Sequence, residues 1–459
     1  MRSFRARLRA SSAVIAGGYT PAPTLNAVRA VASTGRIATG TQALGTDTKF
    51  RQQLVEVVRS GCTYQEWLFP LWHADEDSVT KYTPLPAGAV AACQFYRPAS
   101  TTRVDGKVNG QASSAAVRIA VDGSGLFITC RVDASQFGFV TFPIGDVLRC
   151  MLEIDGPAGM TLPVTDKGGI GGAVSGEGLY YGGTTSMGIN SLAANGGTSQ
   201  VTRIWRPAAI IGDGNVKAFA AIGDSNWAGK GGSKPSGDGS SAQHGFAAKG
   251  LYDLAVPFSI LGQNGDRAEF WNGVQATDPR YQLLRYFDIV WMGLATNDVA
   301  TNSSDVNAVV PIANHRGVRA KIASIPLPGG GARTNTSILA ATIPPRTSNS
   351  GYTSTAAENI SAGFGAAPSC RAALNAAILA DAGVLNLGAV WDLASIVADT
   401  VDPNRIAILD ALTPTANKVQ TGGVANSMEV DGTHWSQNGN AYIAPSYTAF
   451  NQPYAGAAA

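Results

Sequence analysis

Ala220-Ala221-Ile222-Gly223-Asp224-Ser225-Asn226-Trp227-Ala228-Gly229 is the stretch whose reading decides the fold. The apolar run from Ala218 to Ile222 reads as a buried strand that breaks at Gly223. A serine placed where such a strand stops and a helix starts projects from the carboxyl edge of a sheet. Its backbone N–H then faces a reacting carbonyl. The same string is also ordinary turn chemistry, with the serine capping the next helix. Ile211-Gly212-Asp213-Gly214 is a comparable turn string without the hydroxyl.

A nucleophilic serine needs a base, and the chain has only four histidines. One lies in Asp431-Gly432-Thr433-His434-Trp435, three residues after a carboxylate in a loop-like sequence. That spacing lets one short turn aim both side chains at a shared point, which is the base half of a nucleophilic triad. Taken alone, His434 reads as readily as a hydrogen-bonded structural histidine.

Gly-Asp-Ser at the end of a strand, with Asp-x-x-His near the C-terminus, resembles the SGNH (GDSL-type) hydrolase family. Two further blocks support the resemblance. Ile260-Leu261-Gly262-Gln263-Asn264-Gly265-Asp266 matches the second block, and Gly293-Leu294-Ala295-Thr296-Asn297-Asp298 matches the third. In the third, Ala295 stands where the family carries glycine, which puts the position of Asn297 in question. Asn297 and Asp298 also read as residues that end a strand and cap a helix. The resemblance covers roughly residues 216–450 and none of the N-terminal half.

The resemblance implies a doubly wound parallel α/β sheet flanked by helices. It implies Ser225 as nucleophile, His434 as general base and Asp431 as the residue orienting it. The oxyanion donors would be the N–H groups of Ser225 and Gly265 and the side-chain amide of Asn297. No metal or organic cofactor is implied. Trp227, Trp271, Trp291 and Trp435 read as exposed-looking aromatics near these blocks. Trp227 and Trp435 are the candidate substrate-stacking residues, with core packing as the alternative for each.

Other segments fit the same layer. Ser337–Arg346 reads as a strand ended by prolines, and Cys370–Ala382 as a helix with Leu374, Ile378 and Leu379 on one face. Gly388–Leu393 reads as another strand, and Ser436 as the cap of a final helix near Asn438.

The N-terminal half has a different period. Val117, Ile119 and Val121 alternate with polar or small residues, as do Leu126, Ile128, Cys130 and Val132 beyond Gly123-Ser124-Gly125. That pattern predicts a hairpin. Val147–Ile154 predicts a further strand, and Gly168–Thr198 predicts draped loops. The expected organisation is an N-terminal arm over 1–40, an antiparallel β-sandwich-like domain over 41–205, and a hydrolase domain over 216–459.

Composition bounds the setting. The 459 residues include 54 glycines and only 14% charged residues, with a net charge of +2. That balance offers no electrostatic case for nucleic acid. It points to an extracellular or virion-associated protein, with the cytoplasm left open. Arg2, Arg5, Arg7 and Arg9 precede an apolar run too short for a signal-peptide core, and no segment has the length of a membrane span. The five cysteines lack metal-ligand spacing; Cys130 and Cys150 are expected either to pair or to remain buried thiols.

Two functions follow as expectations. One is an esterase removing short acyl groups, O-acetyl first, from a glycan or surface polysaccharide, or from a small ester. The other is a virion structural or receptor-binding protein, set among other virion proteins, whose hydrolase domain is inactive or secondary.

Overall fold

The computed structural model describes residues 27–36, 40–44, 48–74, 80–98, 102–122, 125–164, 178–181, 198–200, 205–229, 245–346, 360–398, 404, 433–435 and 437–456. Residues 1–26 of the arm expected over 1–40, Gly123-Ser124, Asp431 and Ser436 lie outside these residues.

A parallel sheet carries the site. Its strands are β1 (Gly35–Arg36), β2 (Phe219–Gly223), β3 (Phe258–Ile260), β4 (Ile289–Gly293), β5 (Ile338–Ala341) and β6 (Val390–Trp391), in the order β1-β3-β2-β4-β5-β6. Every neighbouring pair is parallel. The strands are almost wholly apolar because both faces are covered. Ala220, Ile222, Val290, Met292, Ile338 and Ala340 enter one core with Trp271, Tyr281, Val318, Ile322 and Leu374. Phe219, Ala221, Trp291, Leu339 and Trp391 enter the other with Phe246, Leu251, Ile443 and Tyr447. The helices that bear on the site are α1 (Gly245–Asp253), α2 (Ala268–Gly273), α3 (Thr296–Thr301), α4 (Val309–Ser324), α5 (Cys370–Ala380), α6 (Leu393–Val397) and α7 (Gln437–Asn451).

From β2 the chain crosses first to β3 on one side and then to β4 on the other. The order therefore reverses at β2, and its carboxyl end opens a crevice where doubly wound sheets place their sites.

Two antiparallel sheets fill the N-terminal half, with strands such as 49–57, 90–96 and 147–155 in one and 64–70, 127–133 and 209–212 in the other. Phe50, Leu54, Phe95 and Leu152 from the first meet Trp67, Phe69, Ile128 and Ile210 from the second in one core. The expected hairpin does not form. Ile119–Ala120 pairs with Val90–Ala91 in the first sheet, whereas Phe127–Asp133 pairs with Tyr64–Pro70 in the second. Period-two alternation buries a strand equally well from either facing sheet, so it does not choose a partner. Strands at 178–181 and 198–200 fall at or beside the stretch expected to be loops.

Leu68, Ala209 and Ile211 of the second antiparallel sheet share a core with Tyr281, Leu284 and Phe287. Arg29 pairs with Asp288 at 3.0 Å, and Asp288 also accepts from the Ala218 amide at the start of β2. Residues 29–36 thus supply an antiparallel strand and β1. Cys62, Cys93, Cys130, Cys150 and Cys370 are all buried free thiols. Leu374 and Ile378 face the core from α5, but Leu379 is 46% exposed. No helix among the described residues is long and apolar enough to cross a membrane.

Candidate active site

Ser225 lies two residues past the end of β2, in a turn over residues 225–229, where a helix start had been expected. The turn closes through the Ala228 amide donating to the Asp224 carbonyl at 2.9 Å. The Asp224 carboxylate accepts from the Asn226 amide at 2.9 Å, fixing the backbone on both sides of the serine. Asp224 is 1% exposed. Burial pushes its carboxyl up to about 6, while hydrogen bonds from Thr296 and the Asn226 amide pull it down and the Asp266 charge pushes it further up.

His434 Nε2 stands 2.9 Å from Ser225 Oγ, although 209 residues separate them. With the ring neutral and protonated on Nδ1, the hydroxyl donates to Nε2, which is the arrangement a general base requires. The loop is held on both sides of the histidine. Arg346 Nε donates to Thr433 Oγ1 at 2.9 Å, and the Trp435 amide donates to Asn226 Oδ1 at 3.3 Å. Asn440 of α7 donates to the Trp435 carbonyl and accepts from the Phe246 amide, tying the loop to α1.

The second and third blocks meet beside the serine turn. Gly265 adopts φ +82°, a left-handed conformation suited to glycine. Asn297 lies in α3, and its side-chain amide donates to the Asp266 carbonyl at 3.1 Å. Asp298 does not cap its own helix; its carboxylate accepts from the Ala268 and Glu269 amides at 2.8 and 3.0 Å, capping α2. Burial raises its pKa, against the pull of those two amides. Behind the Gly265 loop, Asp266 and Arg280 are both fully buried and 3.3 Å apart. Asp266 also accepts from Trp271 Nε1 at 3.0 Å and the Gln263 amide at 3.1 Å. The loop is thereby held rigid from beneath.

Ala295 adopts φ +101° and is fully buried. That conformation explains why a glycine would suit the position: an L side chain there costs about 1–2 kcal/mol. The chain nevertheless makes the turn and delivers Asn297 next to Asp266.

The four tryptophans are core residues. Trp227 is 4% exposed, Trp435 is 1%, and Trp271 and Trp291 are fully buried. Trp227 and Trp435 therefore offer no stacking face to a sugar. Trp227 lies across two glycines: a Cβ on Gly293 would fall 1.9 Å from its Cε2, and one on Gly223 would fall 2.5 Å from its Cβ. The missing side chains at the ends of β2 and β4 make the slot the indole fills.

Several supporting residues were given no role from the sequence: Arg280 and Trp271 behind Asp266, Asn226 and Arg346 bonded to the histidine loop, and Gly293 beneath Trp227. Of these only Gly293 has a signal in the sequence, since glycine inside an apolar strand marks close approach. Among the described residues no group of three or more metal-ligating side chains occurs.

No protein-family description matches the sequence, and no curated protein matches it. Solved structures do resemble it. A GDSL-like lipase from Bacteroides thetaiotaomicron is 14% identical with a TM-score of 0.30, covering 52% of this chain and 89% of that one. A carbohydrate acetylesterase from Sinorhizobium meliloti is 14% identical with a TM-score of 0.31, over 52% and 98%. A family two carbohydrate esterase from Clostridium thermocellum, solved with cellohexaose, is 10% identical with a TM-score of 0.32, over 92% and 98%.

Proposed function

We propose that the protein is a serine esterase that removes short acyl groups, O-acetyl first, from a glycan. One observation carries the reading. A serine hydroxyl at the switch point of the parallel sheet lies 2.9 Å from a histidine ring nitrogen, beside a loop that brings Gly265 and Asn297 together.

In the proposed reaction Ser225 Oγ attacks the ester carbonyl while His434 Nε2 takes the hydroxyl proton. The imidazolium then returns that proton to the leaving alcohol. Asp431, expected from the sequence to orient His434, stabilises the cation. The oxyanion is met by the Ser225 and Gly265 amides and by the second hydrogen of the Asn297 amide, the first being held by the Asp266 carbonyl. Water attacks the acyl-serine by the same route.

The antiparallel module, read as a β-sandwich, would hold the rest of an acylated polymer. An extracellular or virion setting, with other virion proteins as partners, belongs to the same proposal. Hydrolysis of p-nitrophenyl acetate and palmitate by the full chain tests the acyl preference; equal rates on both would contradict it.

A further inference from the structure

Arg346 stands at the carboxyl edge of the sheet, five residues after the end of β5, behind Pro344 and Pro345. Its Nε donates to Thr433, the residue immediately before His434. Its guanidinium carbon lies 5.8 Å from the ring centre of buried Phe364. No acceptor among the described residues meets its two terminal nitrogens. The side chain is half-buried.

The neighbouring arginines are differently placed. Arg280 faces Asp266, and Arg316 and Arg319 both face Asp381. Arg333 donates to the carbonyls of Leu284 and Phe287, and Arg371 to Phe364 and Asn404. Among the described residues, the acidic groups of the site do not compete for Arg346. Asp224 and Asp266 are buried within the turns they brace, Asp298 caps α2, and Asp392 accepts from Thr342 and the Ser395 amide. The result is a guanidinium fixed at one nitrogen, beside the proposed catalytic loop, with no acceptor among the described residues on its planar two-nitrogen edge.

We propose that Arg346 selects the substrate: it binds an oxyanion, a carboxylate or a phosphate, carried by the alcohol portion of the ester that Ser225 cleaves. The assignment rests on the ester-hydrolase reading. A planar fork accepts two oxygens of one anion in parallel hydrogen bonds. Fixing Nε to Thr433 and the preceding backbone to two prolines lowers the entropy lost when the anion docks. Because Thr433 adjoins His434, an anion seated there places its ester close to the base.

The test uses the full chain and three acetylated methyl glucosides that differ only at C6, bearing hydroxyl, carboxylate or phosphate. At low ionic strength kcat/KM should favour an anionic ester over the neutral one by about tenfold or more. Whichever anion wins identifies the source. Arg346→Gln should bring that ratio close to one, and Arg346→Lys should retain part of it. Equal rates on all three esters, or a preference that survives in Arg346→Gln, would overturn the proposal. Binding of the deacetylated sugar acids, followed by NMR, separates it from the esterase reading. Arg346-dependent binding without turnover of any ester sustains the anion site and removes the esterase; turnover with neither preference nor binding does the reverse.

Discussion

The side-chain amide of Asn297 donates to the main-chain carbonyl of Asp266 across 3.1 Å, closing the turn after β4 onto the loop after β3. One of its two hydrogens is held in that bond, and under the proposed mechanism the other meets the oxyanion. Asn297→Ala should therefore lower kcat by about a hundredfold or more with little change in KM, as expected for an interaction made mainly in the transition state. Steady-state kinetics on p-nitrophenyl acetate decide this. An unchanged kcat would take Asn297 out of the oxyanion hole.

Ala295 should respond to glycine in the opposite way from most buried alanines. An ordinary Ala→Gly change costs up to about 1 kcal/mol through the unfolded chain. Here the glycine also releases an L side chain from φ +101°. Ala295→Gly should leave the thermal midpoint unchanged or raise it by a few degrees. A clear fall would show that the alanine methyl packs better than its backbone suffers.

Asp224 gives the protein a pH dependence of defined sign. Its carboxyl is raised in the folded state from 3.8 to about 6 by burial. Its contribution therefore favours the folded state below the unfolded pKa and is lost as pH rises through about 6. Asp224→Asn removes the titration. Relative to wild type, the variant should gain stability between pH 4 and 7, on the order of 3 kcal/mol at most. Urea unfolding at several pH values measures it, and a relative loss of stability over that range would contradict the assignment.

Trp227 tests whether the aromatics beside the site are core or binding surface. Trp227→Ala should cost about 3–5 kcal/mol of stability, as for a large buried side chain. Gly293→Ala should also destabilise, because its new methyl would fall 1.9 Å from the Trp227 ring. Thermal unfolding of both variants checks this. A Trp227→Ala protein with wild-type stability and only a raised KM would restore the sugar-stacking reading.

The parallel sheet was legible because strands covered on both faces are continuous apolar runs, as in Phe219–Ile222 and Ile289–Met292. The serine and the histidine stood out because Gly223-Asp224-Ser225 follows an apolar run and His434, one of four histidines, lies three residues after Asp431. What escaped depends on partners distant in sequence. The slot that buries Trp227 is made by a glycine 66 positions away, and the Asp298 carboxylate caps a helix that begins 30 residues earlier. The strand at 119–120 could not be placed because the same alternation serves either of two facing sheets. Arg346 carries no motif, and its position emerges only when the sheet brings Thr433 to it.

The central claim is that Ser225 and His434 act together on an ester. Burst and steady-state hydrolysis of p-nitrophenyl acetate by wild type, Ser225→Ala and His434→Ala tests it most directly. Wild type should turn over steadily and faster than on the palmitate ester, and each variant should lose activity by at least about a thousandfold while keeping the wild-type thermal midpoint. Turnover that survives in folded Ser225→Ala protein would contradict the account.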